Sequence, residues 1–321
     1  MKNPTISVVI PVRNGAATLH RCLSSLRNQS IGKPIEIIIE DSMSTDASRE
    51  IAASFGAKVF DVAEGLFNHG LTRNSGVRHA SGELIFLTVQ DAWAERNDLL
   101  EKMAAHFADP NVTAVTGHQA VPHEKSMNPV LWYRPTSAPK TTERVIAGIE
   151  AFERLSPSEQ QDLISWDDVV AMYRRKALIE QPFVATEYAE DRVWSYEAVL
   201  KGWKLLHDSS LVMYHYHHQS YNYAFRLNYT AHHYFYKYFN LKPKLRLPIN
   251  PIARATYHLI KHRDLSTREK AYWFSYNVAE KIAVYMATLN IIIRLKFRGM
   301  KGSEAGYQKY CKKIPQGTLK E

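Results

Sequence analysis

Cysteines and long apolar runs are scarce in this sequence. Its 321 residues include only two cysteines, Cys22 and Cys311, which excludes a disulfide framework and favours a reducing compartment. The longest uncharged apolar-rich run, Ile282–Ile293, is well short of the roughly 20 residues that a membrane-spanning helix needs. The first residues lead directly into a strand-like run, unlike a signal peptide. We therefore expect a cytoplasmic protein, soluble or peripheral on the inner face of the plasma membrane.

Basic residues outnumber acidic ones. The 41 Lys and Arg residues against 32 Asp and Glu residues give a formal net charge of +9. This excess favours an anionic partner, such as nucleotide phosphates, a lipid diphosphate, an acidic membrane surface or nucleic acid. With 45% hydrophobic residues, the chain can bury a substantial core, so we expect one large domain plus an appendage.

Short apolar runs alternate with helical patterns through the first half of the chain. Thr5–Val12, Ile35–Ile39 and Leu84–Leu87 are strand-like, and the last is typical of a strand buried on both faces. After the first strand, four apolar residues recur at helical spacing: Leu19, Cys22, Leu23 and Leu26. This alternation predicts an α/β fold with a mainly parallel, Rossmann-like sheet.

The C-terminal third has a different pattern. Tyr221–Phe239 is an aromatic-rich helix candidate, and Lys242–Pro251 is typical of a Lys/Pro linker. Ser266 begins a capping box, which predicts a long helix from there to about Phe297.

Polar residues follow the second predicted strand. Asp41 stands at its end, where a carboxylate can accept a hydrogen bond from a pyrimidine N3–H or a ribose. Asp41, Ser44 and Asp46 can equally cap the next helix. Both interpretations are open at this point.

The stretch Asn68–Gly76 is a glycine-bounded loop that enters a helix. A helix N-terminus favours an anion, and Arg73 can add a bidentate phosphate contact. The simpler alternative is a surface arginine that closes a turn.

Gln90 and Asp91 follow the apolar run Leu84–Leu87, where polar side chains are hard to bury without a partner. Ligands bind at the carboxyl edge of open α/β sheets, and a carboxylate there suits a hard divalent cation. The alternative is a strand-end aspartate that caps a helix.

Two further groups stand late in the predicted domain. Glu190 and Asp191 begin a helix and can provide a general base, or simply an N-terminal acidic turn. His215 and His217 point to one face of a strand, and one of them can complete a metal site as a neutral imidazole. The alternative for the histidines is an aromatic surface patch.

Taken together, these motifs resemble those of the family 2 glycosyltransferases of GT-A fold. They occur in the family's order: Pro11-Val12-Arg13-Asn14, Asp41-Ser42-Met43-Ser44-Thr45-Asp46, Thr72-Arg73-Asn74-Ser75-Gly76, Gln90-Asp91-Ala92, Glu190-Asp191 and His215-Tyr216-His217. Phe67-Asn68-His69-Gly70 and Gln90-Asp91-Ala92 look most like the bacterial rhamnosyltransferase-type branch, which builds surface polysaccharides. The resemblance covers roughly residues 5–235, so we expect a catalytic domain over residues 1–240 and a helical region over residues 241–321.

The resemblance implies a role for each matching position. Pro11, Arg13 and Asp41 fall where the family holds the nucleoside, and Arg73 falls where it contacts the donor. The donor-binding set also includes Gln90, with Asn74 as a secondary candidate.

The same resemblance implies the chemistry. Asp91 matches the family's metal-binding aspartate, and His215 a frequent third metal or diphosphate contact, with Mn²⁺ or Mg²⁺ as the ion and His217 as a secondary candidate. Asp191, preceded by Glu190, matches the catalytic base. The implied reaction is an inverting transfer of a sugar from dTDP-rhamnose or a UDP-sugar to a hydroxyl of a glycan or lipid-linked acceptor.

Two positions depart from the family pattern. Gln90 replaces an acidic residue, so the metal site carries less negative charge and depends more on His215 and on the donor phosphates. Met43 stands where the family usually has glycine, which leaves the conformation of that turn open.

The long C-terminal helix has two open interpretations. Basic and aromatic residues over residues 266–298 suit a membrane interface. The alternative is packing on the catalytic domain or on a second subunit in a homo-oligomer.

Other function classes also stay open. An inactive module can keep the nucleotide-sugar fold without turnover. A nucleic-acid-binding protein would use the net charge and the aromatic Tyr221–Phe239 stretch, but the basic residues are dispersed and form no known RNA or DNA module. We therefore expect no nucleic acid partner.

Overall fold

The structure, a computed structural model, describes residues 5–135 and 138–312. The chain divides into two compact units. The first comprises Met1–Pro122 and Tyr133–Tyr216, and the second comprises His123–Trp132 and His217–Glu321. The domain boundary near residue 240 stays a prediction, because compactness describes packing and not independent folding.

The first unit contains the strands. They are β1 (Ile6–Val12), β2 (Glu36–Asp41), β3 (Lys58–Asp61), β4 (Leu84–Leu87), β5 (Trp93–Ala94), β6 (Val112–Ala120), β7 (Thr141–Arg144), β8 (Ala171–Arg174) and β9 (Lys204–Tyr214). The helices of the same unit are α1 (Ala16–Arg27), α2 (Ser48–Ser54), α3 (His69–His79), α4 (Leu99–Ala105), α5 (Gly148–Glu153), α6 (Pro157–Leu163), α7 (Arg175–Glu180) and α8 (Glu190–Leu200), with a 3₁₀ turn at His106–Ala108. The predicted α/β class is confirmed.

The strands form one mixed sheet in the order β3-β2-β1-β4-β8-β6-β9-β5, with β7 paired to β9. Strand β1 is parallel to β2 and β4, β2 to β3, and β6 to β9. The other pairings are antiparallel. Strand β8 lies between β4 and β6 and is antiparallel to both, and β5 and β7 are antiparallel to β9. The expected predominance of parallel pairing therefore needs correction. A buried apolar run shows that a strand is covered on both faces, but it does not encode the strand's direction.

Helices cover both faces of this sheet. Along β1, Val8 and Ile10 pack on one face and Val9 on the other, as the two-residue repeat of a strand requires. Helices α1, α2 and α4 contribute to the first apolar cluster, and α3, α7 and α8 to the second. The four apolar residues predicted to face inwards from α1 are all buried: Leu19, Cys22, Leu23 and Leu26.

Several strand ends meet at one edge of the sheet. Val12 pairs with Asp41 at the carboxyl ends of β1 and β2, and Leu87 at the end of β4 pairs with Ala171 at the start of β8. The carboxyl ends of β6 and β9 are in register as well, at Ala120 and Tyr214. The residues beyond these ends are therefore gathered at one edge, which is where open α/β sheets bind ligands.

The second unit is helical, with α9 (Tyr221–Phe239), α10 (Ile249–Lys261) and α11 (Thr267–Tyr310). Helix α9 matches the prediction. The capping box at Ser266 is present, and α11 is interrupted at Gly299, which has a left-handed φ of 54°. No helix in the described part of the chain is both long and apolar enough to cross a bilayer.

Helix α10 was not anticipated. Its first turn contains Pro251 and follows Pro248, so the sequence was interpreted as a linker. A proline in the first turn of a helix lacks only an N–H that has no partner within the helix, so the turn forms without loss of a hydrogen bond.

Candidate functional site

Asp41 is fully buried at the end of β2. Its Oδ2 atom accepts a hydrogen bond from the Ser44 N–H at 3.1 Å and lies 2.9 Å from a guanidinium nitrogen of Arg49. Its Oδ1 atom is buried without a hydrogen-bond partner among the described residues. Asp46 accepts from the N–H groups of Ala16 and Ser48, the first residues of α1 and α2. Asp41 therefore keeps one buried acceptor for a ligand donor.

Two loops with unusual backbone meet beside Asp41. Asn14 and Met43 both have left-handed φ angles, 48° and 57°. Asn14 N–H donates to Ser44 Oγ at 2.9 Å, and Thr45 N–H donates to Asn14 Oδ1 at 2.8 Å. The turn at Met43 thus adopts the conformation that a glycine would adopt most easily, and these hydrogen bonds help to hold it.

Gln90 fastens the loop after β1. Its Oε1 atom accepts from the Arg13 N–H at 2.8 Å, and its Nε2 group donates to the Arg13 carbonyl at 3.2 Å. An acidic residue there could accept but not donate, so the amide makes a pairing that a carboxylate cannot make. Gly15 leaves room for this amide, because an added Cβ atom would lie 2.7 Å from Gln90 Oε1 and the Gln90 side chain would have to shift. The Arg13 side chain is exposed and Pro11 is buried in β1.

Asp91 and His215 lie together at the sheet edge. His215 Nε2 is 3.4 Å from Asp91 Oδ1, and both side chains are partly exposed. His215 Nδ1 is 2.9 Å from Gln119 Oε1, and the amide nitrogen of Gln119 contacts Asp167 Oδ2. Because a carboxylate accepts, Gln119 must direct its NH₂ group to Asp167 and its oxygen to His215. His215 therefore donates through Nδ1, and in the neutral imidazole the Nε2 lone pair faces Asp91.

This pair fits a divalent cation. Two electron-pair donors, Asp91 Oδ1 and His215 Nε2, face one another at 3.4 Å and repel unless a cation or a proton lies between them. A carboxylate oxygen and a neutral imidazole nitrogen are also ligands that Mn²⁺ and Mg²⁺ sites use. His217 is the first residue of the second unit and is exposed, so its metal role stays a prediction.

Gln119→Leu is expected to weaken Mn²⁺ binding by about 10- to 100-fold, because the substitution removes the acceptor that fixes the His215 tautomer. Electron paramagnetic resonance titration of Mn²⁺ in the presence of a nucleoside diphosphate measures this affinity. Gln161→Leu, on an exposed position of the same unit, is the matched control and should bind like the wild type. Equal Mn²⁺ affinity in Gln119→Leu and the wild type would contradict the positioning role.

A cluster of charged groups lies at the start of α8. Arg73 is buried on α3, and its guanidinium contacts Glu190 Oε1 and lies 3.4 Å from Asp168 Oδ2. Burial opposes the charge on Arg73, but the two carboxylates outweigh it and raise the arginine pKa. Burial likewise opposes the charge on Glu190, yet Arg73 keeps the glutamate pKa below its usual value. Burial raises the pKa of Asp168 to about 6. Arg73 is therefore engaged inside the protein, and a direct donor contact by it stays a prediction.

Asp191 differs from its neighbour Glu190. Burial raises its pKa well above the usual aspartate value, and the negative charges of Glu190, Asp168 and Asp167 raise it further. Its Oδ1 atom accepts from the Arg192 N–H at 2.7 Å. A carboxylate with a raised pKa is better matched to proton transfer near neutral pH than an ordinary aspartate.

The loop before α8 is held by amide side chains of α3. Asn74 donates to the Phe183 carbonyl at 2.8 Å and accepts from the Phe183 N–H at 2.9 Å. Asn68 caps α3 and donates to the Thr186 carbonyl at 2.8 Å. An added Cβ atom at Gly70 would lie 2.7 Å from the Val184 carbonyl oxygen. The Asn-x-Gly and Arg-Asn motifs therefore position the start of α8, and a ligand contact by Asn74 stays a prediction.

Three site residues did not emerge from the sequence. Asp167 and Asp168 precede β8, and Gln119 is near the end of β6. Asp167 and Asp168 stand immediately before the apolar run Val169–Tyr173, and this boundary was the available signal. They reach the edge where Asp91 lies because β8 runs antiparallel to β4. Gln119 had none, because its partners Asp167 and His215 are distant in sequence.

The comparisons with known proteins agree with this architecture. The family model described as Glycosyl transferase family 2 matches residues 7–180. The O-antigen chain rhamnosyltransferase WbaN of Salmonella anatum is 36% identical over 124 residues, which are 38% of this chain and 39% of that protein. The O-antigen chain rhamnosyltransferase RfbN of Salmonella typhimurium is 26% identical over 239 residues, or 73% of this chain and 70% of that protein. The matched part thus spans less than half of WbaN.

Solved structures share the fold at low sequence identity. The mannosyltransferase PcManGT from Pyrobaculum calidifontis, in complex with GDP-Man and Mn²⁺, has a TM-score of 0.54 and 16% identity, covering 97% of this chain and 88% of that one. TarS 1–349 of S. aureus has a TM-score of 0.55 and 16% identity, covering 95% and 91%. The GT-A fold implied by the motifs is confirmed.

Proposed function

The chain belongs to glycosyl transferase family 2, and we propose that it transfers a sugar from a nucleoside diphosphate to a hydroxyl group, with inversion at the anomeric carbon. The placement of the Asp91–His215 pair at the same sheet edge as the buried acceptor of Asp41 is the observation that supports this function most directly.

Asp41 is assigned to the donor base. Its Oδ1 atom, which has no hydrogen-bond partner among the described residues, is suited to accept a hydrogen bond from a pyrimidine N3–H, which thymine and uracil both present. Similarity to two rhamnosyltransferases favours dTDP-rhamnose, and a UDP-sugar is the second donor class. Arg13, exposed in the loop that Gln90 fastens, is assigned to a contact with the donor.

Asp91 and His215 are assigned to Mn²⁺ or Mg²⁺. When bound, such an ion offsets the negative charge that develops on the leaving nucleoside diphosphate. Gln119 holds His215 in the tautomer that presents Nε2, and Asp167 holds Gln119. With a single carboxylate in this pair, we expect the donor phosphates to supply the remaining ligands.

Asp191 is assigned as the base that takes the proton from the acceptor hydroxyl. The oxygen then attacks the anomeric carbon from the side opposite the diphosphate, so one displacement inverts the configuration. Arg73 and Glu190 act as positioning residues, since their ion pair joins α3 to the first turn of α8 beside Asp191. Burial and the carboxylates around Asp191 raise its pKa and thereby its basicity.

The acceptor is proposed to be a glycan or a lipid-linked oligosaccharide in bacterial surface polysaccharide synthesis. This assignment rests on the similarity to the O-antigen chain rhamnosyltransferases. A homo-oligomer and a cytoplasmic location stay predictions.

A donor screen tests the proposed function. Release of nucleoside diphosphate is measured with dTDP-rhamnose, UDP-hexoses and GDP-sugars, together with a bacterial lipid-linked glycan fraction. We expect acceptor-stimulated release with one donor class. Donor-dependent thermal stabilisation without release in any mixture would indicate the inactive binding module instead, and absence of both would contradict a nucleotide-sugar site.

A further inference from the structure

One segment of the second unit combines exposed cations with exposed aliphatic side chains. Residues 242–263 contain no Asp or Glu, and they contain six basic residues: Lys242, Lys244, Arg246, Arg254, Lys261 and Arg263. All six side chains are exposed, and none forms an ion pair with another residue in the described part of the chain. Such a one-sign surface attracts an extended anionic partner.

Helix α10, within this segment, has an inner face that is already packed. Ala255 and Leu259 are buried, and Leu259 belongs to an apolar cluster with Leu265 and Trp273 of the same unit. This face attaches the helix to the second unit. The rest of its apolar surface is not needed for that packing.

The outer face of α10 is apolar and open. Ile249, Tyr257 and Ile260 expose 64%, 54% and 69% of their surface. With Ala253, their spacing of four, four and three residues places them on one side of the helix. Single exposed apolar residues are ordinary, but a row of them along one helix face is unusual for a surface that meets only water.

Cations border this row and continue beyond it. The Lys261 ammonium lies 4.5 Å from the centre of the Tyr257 ring, at the edge of the apolar row. Before the helix, the exposed side chains of Leu245 and Leu247 alternate with Lys244 and Arg246. The aliphatic and basic groups therefore form one continuous stretch of chain.

We propose that residues 242–263 bind an anionic membrane surface, with α10 lying in the plane of the interface. The cations match phosphate headgroups, and the row of Ile249, Tyr257 and Ile260 enters the boundary between headgroups and acyl chains. A nucleic acid would neutralise the cations but would leave the isoleucines in water. The helix is about 20 Å long and lies along the surface without crossing it.

This surface differs from the one that the sequence favoured. Helix α11 also exposes apolar residues, among them Phe274 and Phe297, but its charges are mixed because Glu269 and Glu280 lie among its basic residues. Helix α10 and the chain before it carry one sign of charge only. Membrane binding by this segment does not depend on the proposed transferase reaction.

Co-sedimentation of the full-length protein with lipid vesicles tests the proposal. Vesicles of phosphatidylcholine alone are compared with vesicles that also contain phosphatidylglycerol. We expect binding to the anionic vesicles only, with an affinity that falls as salt is raised. Two variants address the segment: Ile249→Ser with Ile260→Ser, and Lys244→Ser with Arg246→Ser and Arg254→Ser.

Both variants are expected to lose at least about tenfold in vesicle affinity. Each surface cation contributes roughly fivefold, and the isoleucine variant removes the apolar side chains that would be buried in the interface. All five substituted side chains are exposed, so the melting temperature should stay near that of the wild type. The matched control, Phe274→Ser with Phe297→Ser on α11, should bind vesicles like the wild type.

Three results would overturn the proposal. In the first, the wild type does not bind anionic vesicles. In the second, the α11 control loses as much vesicle affinity as the α10 variants. In the third, Ile249→Ser with Ile260→Ser binds vesicles as tightly as the wild type. Binding to single-stranded DNA in place of vesicles, with no effect of the isoleucine substitutions, would instead indicate a nucleic acid partner.

Discussion

Asp191→Asn is expected to lower the turnover number for sugar transfer by about 10²- to 10⁴-fold, the usual contribution of a positioned general base. Asparagine has nearly the same size as aspartate, so the first turn of α8 should keep its shape. Because the Asp41 site lies on β2, nucleoside diphosphate affinity should stay close to that of the wild type.

The pH dependence of the wild type gives a second readout of the same assignment. A base acts in its deprotonated form, so activity should fall as the pH drops through the pKa of Asp191. Burial and the carboxylates of Glu190, Asp168 and Asp167 raise that pKa. The fall should therefore occur at a higher pH than the usual aspartate pKa of about 3.9 would give.

Asp162→Asn is the matched control for Asp191→Asn, since Asp162 is an exposed aspartate in α6 of the same unit. It should transfer sugar at the wild-type rate. Wild-type turnover in Asp191→Asn, measured by nucleoside diphosphate release, would show that another group is the base.

Arg73→Met is expected to destabilise the protein by about 3–5 kcal/mol. The substitution preserves much of the side-chain volume but removes the charge that faces Glu190 and Asp168. Both carboxylates are buried, so their charged forms would lack the cation that now offsets the cost of burial. Urea unfolding followed by tryptophan fluorescence measures the change in the free energy of unfolding.

Arg78→Met provides the comparison, because Arg78 is on the same helix but exposed. We expect a change within about 0.5 kcal/mol for this variant. Similar unfolding midpoints for Arg73→Met and Arg78→Met would mean that the buried ion pairs of Arg73 do not stabilise the fold.

The strand-end motifs could be located from the sequence, and the reason is geometric. A short apolar run followed by polar residues indicates a strand end, and parallel strands place such ends at one edge. Asp41 and Asp91 were found in this way. Their order along the chain then supported the resemblance to the family, which the family model confirms.

The strand directions and the internal partners could not be found in this way. The position of β8 between β4 and β6 depends on long-range packing, and a buried apolar run reads the same in either direction. The arginine of the Thr72-Arg73-Asn74 motif suggested a phosphate contact, but its partner Glu190 is 117 residues away in sequence. The motif identifies the arginine but not the residue that its side chain contacts.

Local rules were also outweighed at two places. Prolines 248 and 251 indicated a linker, yet they lie where a helix tolerates proline. Met43 adopts a left-handed φ that its side chain disfavours, beside the hydrogen-bonded loops that border Asp41. Strained backbone of this kind is found near ligand sites, and the surrounding contacts hold it there.

Mn²⁺ binding to the wild type and to Asp91→Asn, in the presence of dTDP or UDP, tests the central assignment most directly. Electron paramagnetic resonance titration reports free Mn²⁺ and needs no acceptor. We predict that the wild type binds Mn²⁺ with the nucleotide and that Asp91→Asn binds it at least about 100-fold more weakly. Loss of a metal ligand should lower the affinity more than loss of a residue that only orients a ligand. Mn²⁺ affinity that is equal in the two proteins, or absent from the wild type, would contradict a metal–diphosphate site at Asp91 and His215.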